Sequence, residues 1–132
     1  MNVWVDKFPK DEIVTGLTEK TVKFAEDFGS YLAKKDGDIN ALCTNQLRKF
    51  FGEVKRQQMS GYNQMDFILL KPKLAYAVGR TSDKKSKIED FYDVMCVAID
   101  QVKSEKDFRN FIKMFEAIVA YHKAAERYKV LK

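Results

Sequence analysis

Apolar residues in this chain recur mostly three and four positions apart, which is the spacing of helices rather than strands. Phe24, Ala25, Phe28, Tyr31 and Leu32 form one such stripe and predict a helix that begins near Thr18. The Thr18 hydroxyl is suited to cap the free amides of a first turn, and Gly37, between Asp36 and Asp38, ends the element. A second helix, over about 44–58, puts Leu47, Phe50, Phe51 and Val54 on one arc about 100° wide. The stretch 62–70 is apolar except for Asn63, Gln64 and Asp66, so burial is expected. Pro72 disfavours helical geometry at Lys71, which predicts a break there and a short helix from Pro72 that stops at Gly79. The polar run 81–87 reads as a flexible loop. Ile88, Phe91, Tyr92, Met95, Ala98, Ile99 and Val102 then predict a helix over about 87–103.

Ser104, with Asp107 three residues later, forms a variant capping box that opens the last helix. Phe108, Phe111, Ile112, Phe115, Ile118 and Val119 make one face of it. Met114, Ala117, Tyr121, Ala124, Ala125 and Tyr128 make a second. A helix apolar on two sides is the centre of its own bundle or part of an oligomer interface; the central position is favoured. Residues 1–17 mix Trp4, Phe8 and Pro9 with charges and show no sustained period. An irregular N-terminal arm is expected there, ahead of a single helical-bundle domain over 18–132. The fold class is therefore all-α, a compact bundle of about five to six helices.

Composition supports this reading. At 132 residues and 45% hydrophobic the chain can build one domain with a real core, and six glycines and two prolines are too few for a sandwich or barrel. No apolar run approaches the ~20 residues of a membrane span. The start lacks a basic region followed by an apolar stretch, and Cys43 and Cys96 read as reduced, packed thiols, so a cytoplasmic protein is expected.

Charge changes the picture more. Residues 45–87 hold ten Lys/Arg against three Asp/Glu, a local +7, whereas the remainder of the chain carries −2. Within this block Arg48, Lys49, Lys55 and Arg56 fill an arc of about 120° on the second helix, with Gly52 in its middle and no acid among them. A solvated face usually interleaves Glu with Lys, so sorting by sign points to a polyanion. Lys73, Tyr76 and Arg80 share a face at i, i+3 and i+7, and a helix starting at Pro72 would offer free amides to a phosphate beside Lys71 and Lys73. The predicted helix over 87–103 carries Glu89, Asp90, Asp93 and Asp100, an acidic side suited to solvent or to a basic neighbouring protein.

Catalytic chemistry is hard to find. His122, the one histidine, falls on an apolar face and reads as a hydrogen-bonded core residue. No carboxylate pair, Cys/His cluster, phosphate loop or nucleophile motif accompanies it, so no enzyme activity, metal or cofactor is expected.

Two basic segments carry a resemblance. They are Thr44-Asn45-Gln46-Leu47-Arg48-Lys49-Phe50-Phe51 and Leu69-Leu70-Lys71-Pro72-Lys73-Leu74-Ala75-Tyr76-Ala77-Val78-Gly79-Arg80, joined by Phe115-Glu116-Ala117-Ile118-Val119-Ala120-Tyr121-His122-Lys123. Together these stretches resemble the small subunit of type III-A CRISPR interference complexes, the Csm-type effector. The resemblance covers about a third of the chain and leaves 1–40 and 81–107 unmatched. It implies an all-helical, non-catalytic subunit that stacks as the minor filament beside the backbone and large subunits. It also implies phosphate contacts to target RNA and the guide–target duplex in antiviral defence, from Arg48, Lys49, Lys71, Lys73 and Arg80. Lys55 and Arg56 are added from the helical wheel. Self-association follows from the same likeness, including a dimer when the subunit is isolated. A second reading is a helical adaptor whose basic face binds an acidic protein, and a third is an enzyme with a site between subunits.

Overall fold

The computed structural model describes residues 2–37, 39–80 and 87–131, with side chains through Arg127. The expected loop over 81–86, Asp38 and the side chain of Tyr128 lie outside the described residues. In chain order the helices are α1 (Val3–Lys7), α2 (Glu12–Thr15), α3 (Glu19–Ala33), α4 (Thr44–Ser60), α5 (Gln64–Ile68), α6 (Leu70–Arg80), α7 (Ile88–Gln101) and α8 (Glu105–Leu131). Five of these, α3, α4, α6, α7 and α8, run eleven residues or more and build the bundle. Among the described residues there is no strand beyond a single bridge between Asp36 and Ile39. None of the described helices is long and apolar enough to cross a membrane.

The 27-residue α8 is the central helix, packed against α2, α3, α4 and α7. Its Phe108, Phe111, Ile112, Met114, Phe115 and Ile118 are all buried. Phe115 alone meets the rings of Phe50, Phe51, Phe91 and Phe111 at 5.1–6.1 Å between centroids. Ser104 caps the start by accepting from the Asp107 amide at 3.2 Å, and the Asp107 carboxylate accepts from Lys103 N at 3.1 Å. The reciprocal cap is thus shifted one residue upstream from the standard box. α3 begins after Thr18, whose hydroxyl accepts from Lys20 N, and it buries Phe24, Ala25, Phe28 and Leu32. It crosses α8 at Gly29, where a methyl group would lie 2.7 Å from the Ile118 carbonyl oxygen and 2.9 Å from His122 N. His122 is buried, and its Nε2–H donates to the Leu42 carbonyl at 2.9 Å.

Four expectations need correction. The arm is not irregular: α1 and α2 form there, α1 capped by the Asn2 carboxamide accepting from Trp4 N at 2.9 Å. Trp4 lies 5.2 and 4.9 Å from the rings of Phe28 and Tyr31, and Phe8 and Ile13 are buried. Helices of four or five residues are too short to display a period and hold only by docking. The break expected at Lys71 falls at Leu69, so α6 starts at Leu70 and Gly79 lies inside it. Pro72 is the third residue of α6, where the first-turn amides lack intrahelical acceptors anyway and a missing N–H costs little. The stretch 62–70 buries only Phe67 and Leu70, leaving Met65 64%, Ile68 41% and Leu69 39% exposed. Of the two free cysteines, Cys43 is exposed and only Cys96 is partly packed.

Candidate nucleic-acid interface

The expected basic residues separate into three groups once the helices are assembled. α4 turns Leu47, Phe50 and Val54 inward, which leaves its polar arc outside with one edge toward α8 and the other toward α6. On the α8 edge, Lys55 pairs with Glu116 at 3.2 Å. α6 buries Leu70 and Leu74, which sends Lys71 to the α7 side, where it pairs with Asp100. That bond, donated by the ammonium to Asp100, raises the Lys71 pKa. Neither Lys55 nor Lys71 lies on the α4–α6 side of its helix.

The third group converges. Lys49, Gln46 and Glu53 of α4 face Lys73, Ala77 and Arg80 of α6 across a groove of about 710 Å³. Its floor is apolar, built from Leu47, Phe50, Leu74, Phe91 and their neighbours. Tyr76 stands 59% exposed on the same face of α6, with the Arg80 guanidinium 5.5 Å from its ring centroid. Arg48 is exposed on the outer arc of α4. Among the described residues Arg48, Lys49 and Arg80 have no ion-pair partner.

Glu53 is the exception to the sorting by sign. Its Oε1 lies 2.7 Å from Lys73 Nζ and 2.6 Å from Arg56 Nη2, and Arg56 Nε donates to Oε2 at 3.1 Å. Hydrogen bonds from Arg56 and then Lys73 hold the Glu53 carboxyl down at about 2. A lowered carboxylate pKa means that the ionised form is the one the fold favours. The stabilisation is complete above the ordinary value of 4.5 and disappears as pH falls through about 2. We expect the Glu53 side-chain carboxyl, followed by NMR in an acid titration, to stay ionised to well below pH 4. Because the pairs are part-exposed, their contribution to stability over that window is of order 1 kcal/mol.

The acidic side expected on α7 is largely engaged within the fold. Asp90 accepts from the Tyr31 hydroxyl at 2.5 Å, Asp93 from Asn2 at 3.4 Å, and Asp100 from Lys71. Lys87, counted with the basic block, is not on the surface. Its Nζ is buried at the end of α3, donating to the Tyr31 carbonyl at 2.7 Å, the Lys34 carbonyl and Asp36 at 2.9 Å. Among the described residues no group of His, Cys, Asp and Glu is placed to hold a metal.

The family model of Csm2 Type III-A matches residues 17–128. The chain belongs to the Csm2 type III-A family. It is accordingly a small subunit of the type III-A CRISPR effector complex, and Csm2 is a structural subunit family of that complex. The Csm2 match takes in α3 to α7 and most of α8, and so includes the whole groove; α1 and α2 precede it. No curated protein and no solved structure matches the chain.

At 100° per residue Glu53 falls just outside the basic arc of α4, beside Lys49. Arg56 at i+3 meets it from the same helix, and Lys73, arriving from another helix, completes the cluster. The grouping of Lys73, Tyr76 and Arg80 was visible from spacing alone, because all three lie on one short helix.

Proposed function

We propose that this Csm2-family subunit contributes no catalytic group and contacts target RNA and the guide–target duplex through their phosphates, using the α4–α6 groove and the outer arc of α4. One observation carries the reading. Lys49, Lys73 and Arg80 line a single groove from two helices, and Arg48 lies exposed on the neighbouring arc. Phosphate contacts position a protein without reading sequence, which suits a subunit whose target is already specified by base pairing with the guide. Tyr76 beside Arg80 adds an exposed aromatic of the kind that stacks on unpaired bases. Few contacts per copy mean weak binding by one subunit, and strength would come from repetition along one RNA as copies stack in the minor filament.

The residues differ in their expected share. Arg48, Lys49, Lys73 and Arg80 are assigned to RNA, with Arg56 joining through its exposed guanidinium. Lys55 and Lys71, held by Glu116 and Asp100, are assigned minor parts. A different surface suits protein contact: Met65 and Ile68 of α5 and Leu69 at its C-terminal cap leave an exposed apolar patch at i, i+3 and i+4, separate from the basic face on which the adaptor reading rests. A subunit inside a complex needs such a surface for its protein neighbours as well as a basic one for RNA.

Filter binding of single-stranded RNA over a salt series tests the reading. Arg48→Ala, Lys49→Ala and Arg80→Ala should each weaken binding about three- to tenfold for every RNA sequence alike. Each should also make the log–log salt slope shallower by about 0.7. Lys71→Ala should change little. Salt-insensitive binding, or no binding even in the assembled complex, would overturn the reading.

A further inference from the structure

Glu53 is the lone carboxylate among the described residues that line the groove, and it sits where the cations are densest. The Arg56 guanidinium meets both of its oxygens and the Lys73 ammonium meets one. A fork plus a point charge on two oxygens is also the donor set that a phosphodiester takes. The two cations are 59% and 54% exposed, so either can swing to an incoming anion without repacking the core. Glu53 is itself only 24% exposed, fixed on α4 above the groove floor.

We propose that Glu53 is an internal counter-ion, occupying Lys73 of the groove and Arg56 of the adjoining α4 arc until RNA phosphate displaces it and thereby setting the affinity and salt dependence of each subunit. The inference rests on the RNA-contacting reading given above. Exchange of one oxyanion for another leaves the cations paired in both states, so little net free energy is gained per contact. A subunit built this way holds RNA weakly alone and firmly only when several copies share a strand. It also keeps Arg56 and Lys73 from collecting other anions in the absence of RNA.

The test is fluorescence anisotropy of a labelled, unstructured oligouridine strand against the full chain over a potassium chloride series. Circular dichroism and melting of each variant accompany it. Glu53→Gln, which removes the charge and keeps the shape, should bind about three- to tenfold tighter than wild type, with a salt slope steeper by about 0.7. Glu53→Asp, which keeps the charge, should bind like wild type. Glu53→Ala repeats the comparison without the side chain and should also bind tighter. Wild-type binding that is salt-dependent but unchanged or weaker in both neutral variants would overturn the counter-ion role and leave the RNA reading intact. No binding by wild type and by correctly folded neutral variants alike would overturn both. Binding that appears only in the neutral variants would support the counter-ion role in its strongest form.

Discussion

Replacing Lys87 with methionine should lower the free energy of unfolding by about 3 kcal/mol, measured by urea denaturation followed in the far ultraviolet. Methionine matches the lysine stem, so the loss isolates the ammonium. That group spends its three protons on the Tyr31 carbonyl, the Lys34 carbonyl and the Asp36 carboxylate. It also stands 3.9 Å from the centroid of the Tyr31 ring, whose hydroxyl donates to Asp90. The C-terminal end of α3 presents carbonyls that the helix cannot satisfy, together with the negative pole of its dipole. A buried cation arriving from the start of α7 answers both. Removing it strands acceptors at the end of α3. Water can reach Asp36, which is 44% exposed, so the loss should fall at the lower end of the range for broken buried pairs. A change under about 1 kcal/mol would show that water replaces the ammonium and that Lys87 is no cap.

Gly29→Ala should destabilise the protein by about 2 kcal/mol, against the usual sign for such a change in a helix. Alanine in place of an exposed mid-helix glycine ordinarily stabilises by about 0.5–1 kcal/mol. At Gly29 the new methyl meets the Ile118 carbonyl oxygen at 2.7 Å, His122 N at 2.9 Å and Tyr121 Cβ at 3.0 Å. The first two are backbone atoms, so relief requires α3 and α8 to move apart, and that opens the layer of Phe28 and Ile118. Gly52 supplies the control. It lies inside α4 with nothing within 4 Å of its added methyl, so Gly52→Ala should be neutral or stabilising. Thermal melts of the two variants should therefore move in opposite directions. A Gly29→Ala melt at or above wild type would mean that the two helices are not in close contact at this crossing.

The contrast between these glycines shows where a sequence is readable. Both lie inside helices, and although Gly52 stands amid a basic arc, what makes an added methyl intolerable at Gly29 is a helix about ninety positions further on. The long helices were legible because each carries its own apolar period, and so were the Thr18 cap, the Ser104 start and the interior place of His122. Each of these depends on neighbours within a turn or two. Lys87 was not legible, since a lysine closing a polar run has the signature of a solvated residue. The partners of the basic arc escaped for the same reason. Glu53 and Lys73 lie twenty positions apart, Lys71 and Asp100 twenty-nine, and Lys55 and Glu116 sixty-one. Local sorting by sign thus marked Lys49, one of the groove's lining cations, and overstated how much of the arc's charge is unpaired.

The crossing of α3 on α8 also dictates an order of events at the ribosome. Phe24, Phe28 and Leu32 are made well before the α8 surface that covers them. Until α8 has left the exit tunnel, most of the aromatic interior stays without its lid. A nascent chain stalled before residue 105 would carry four-fifths of the sequence and still expose the face of α3, a natural client for a chaperone rather than a half-finished subunit.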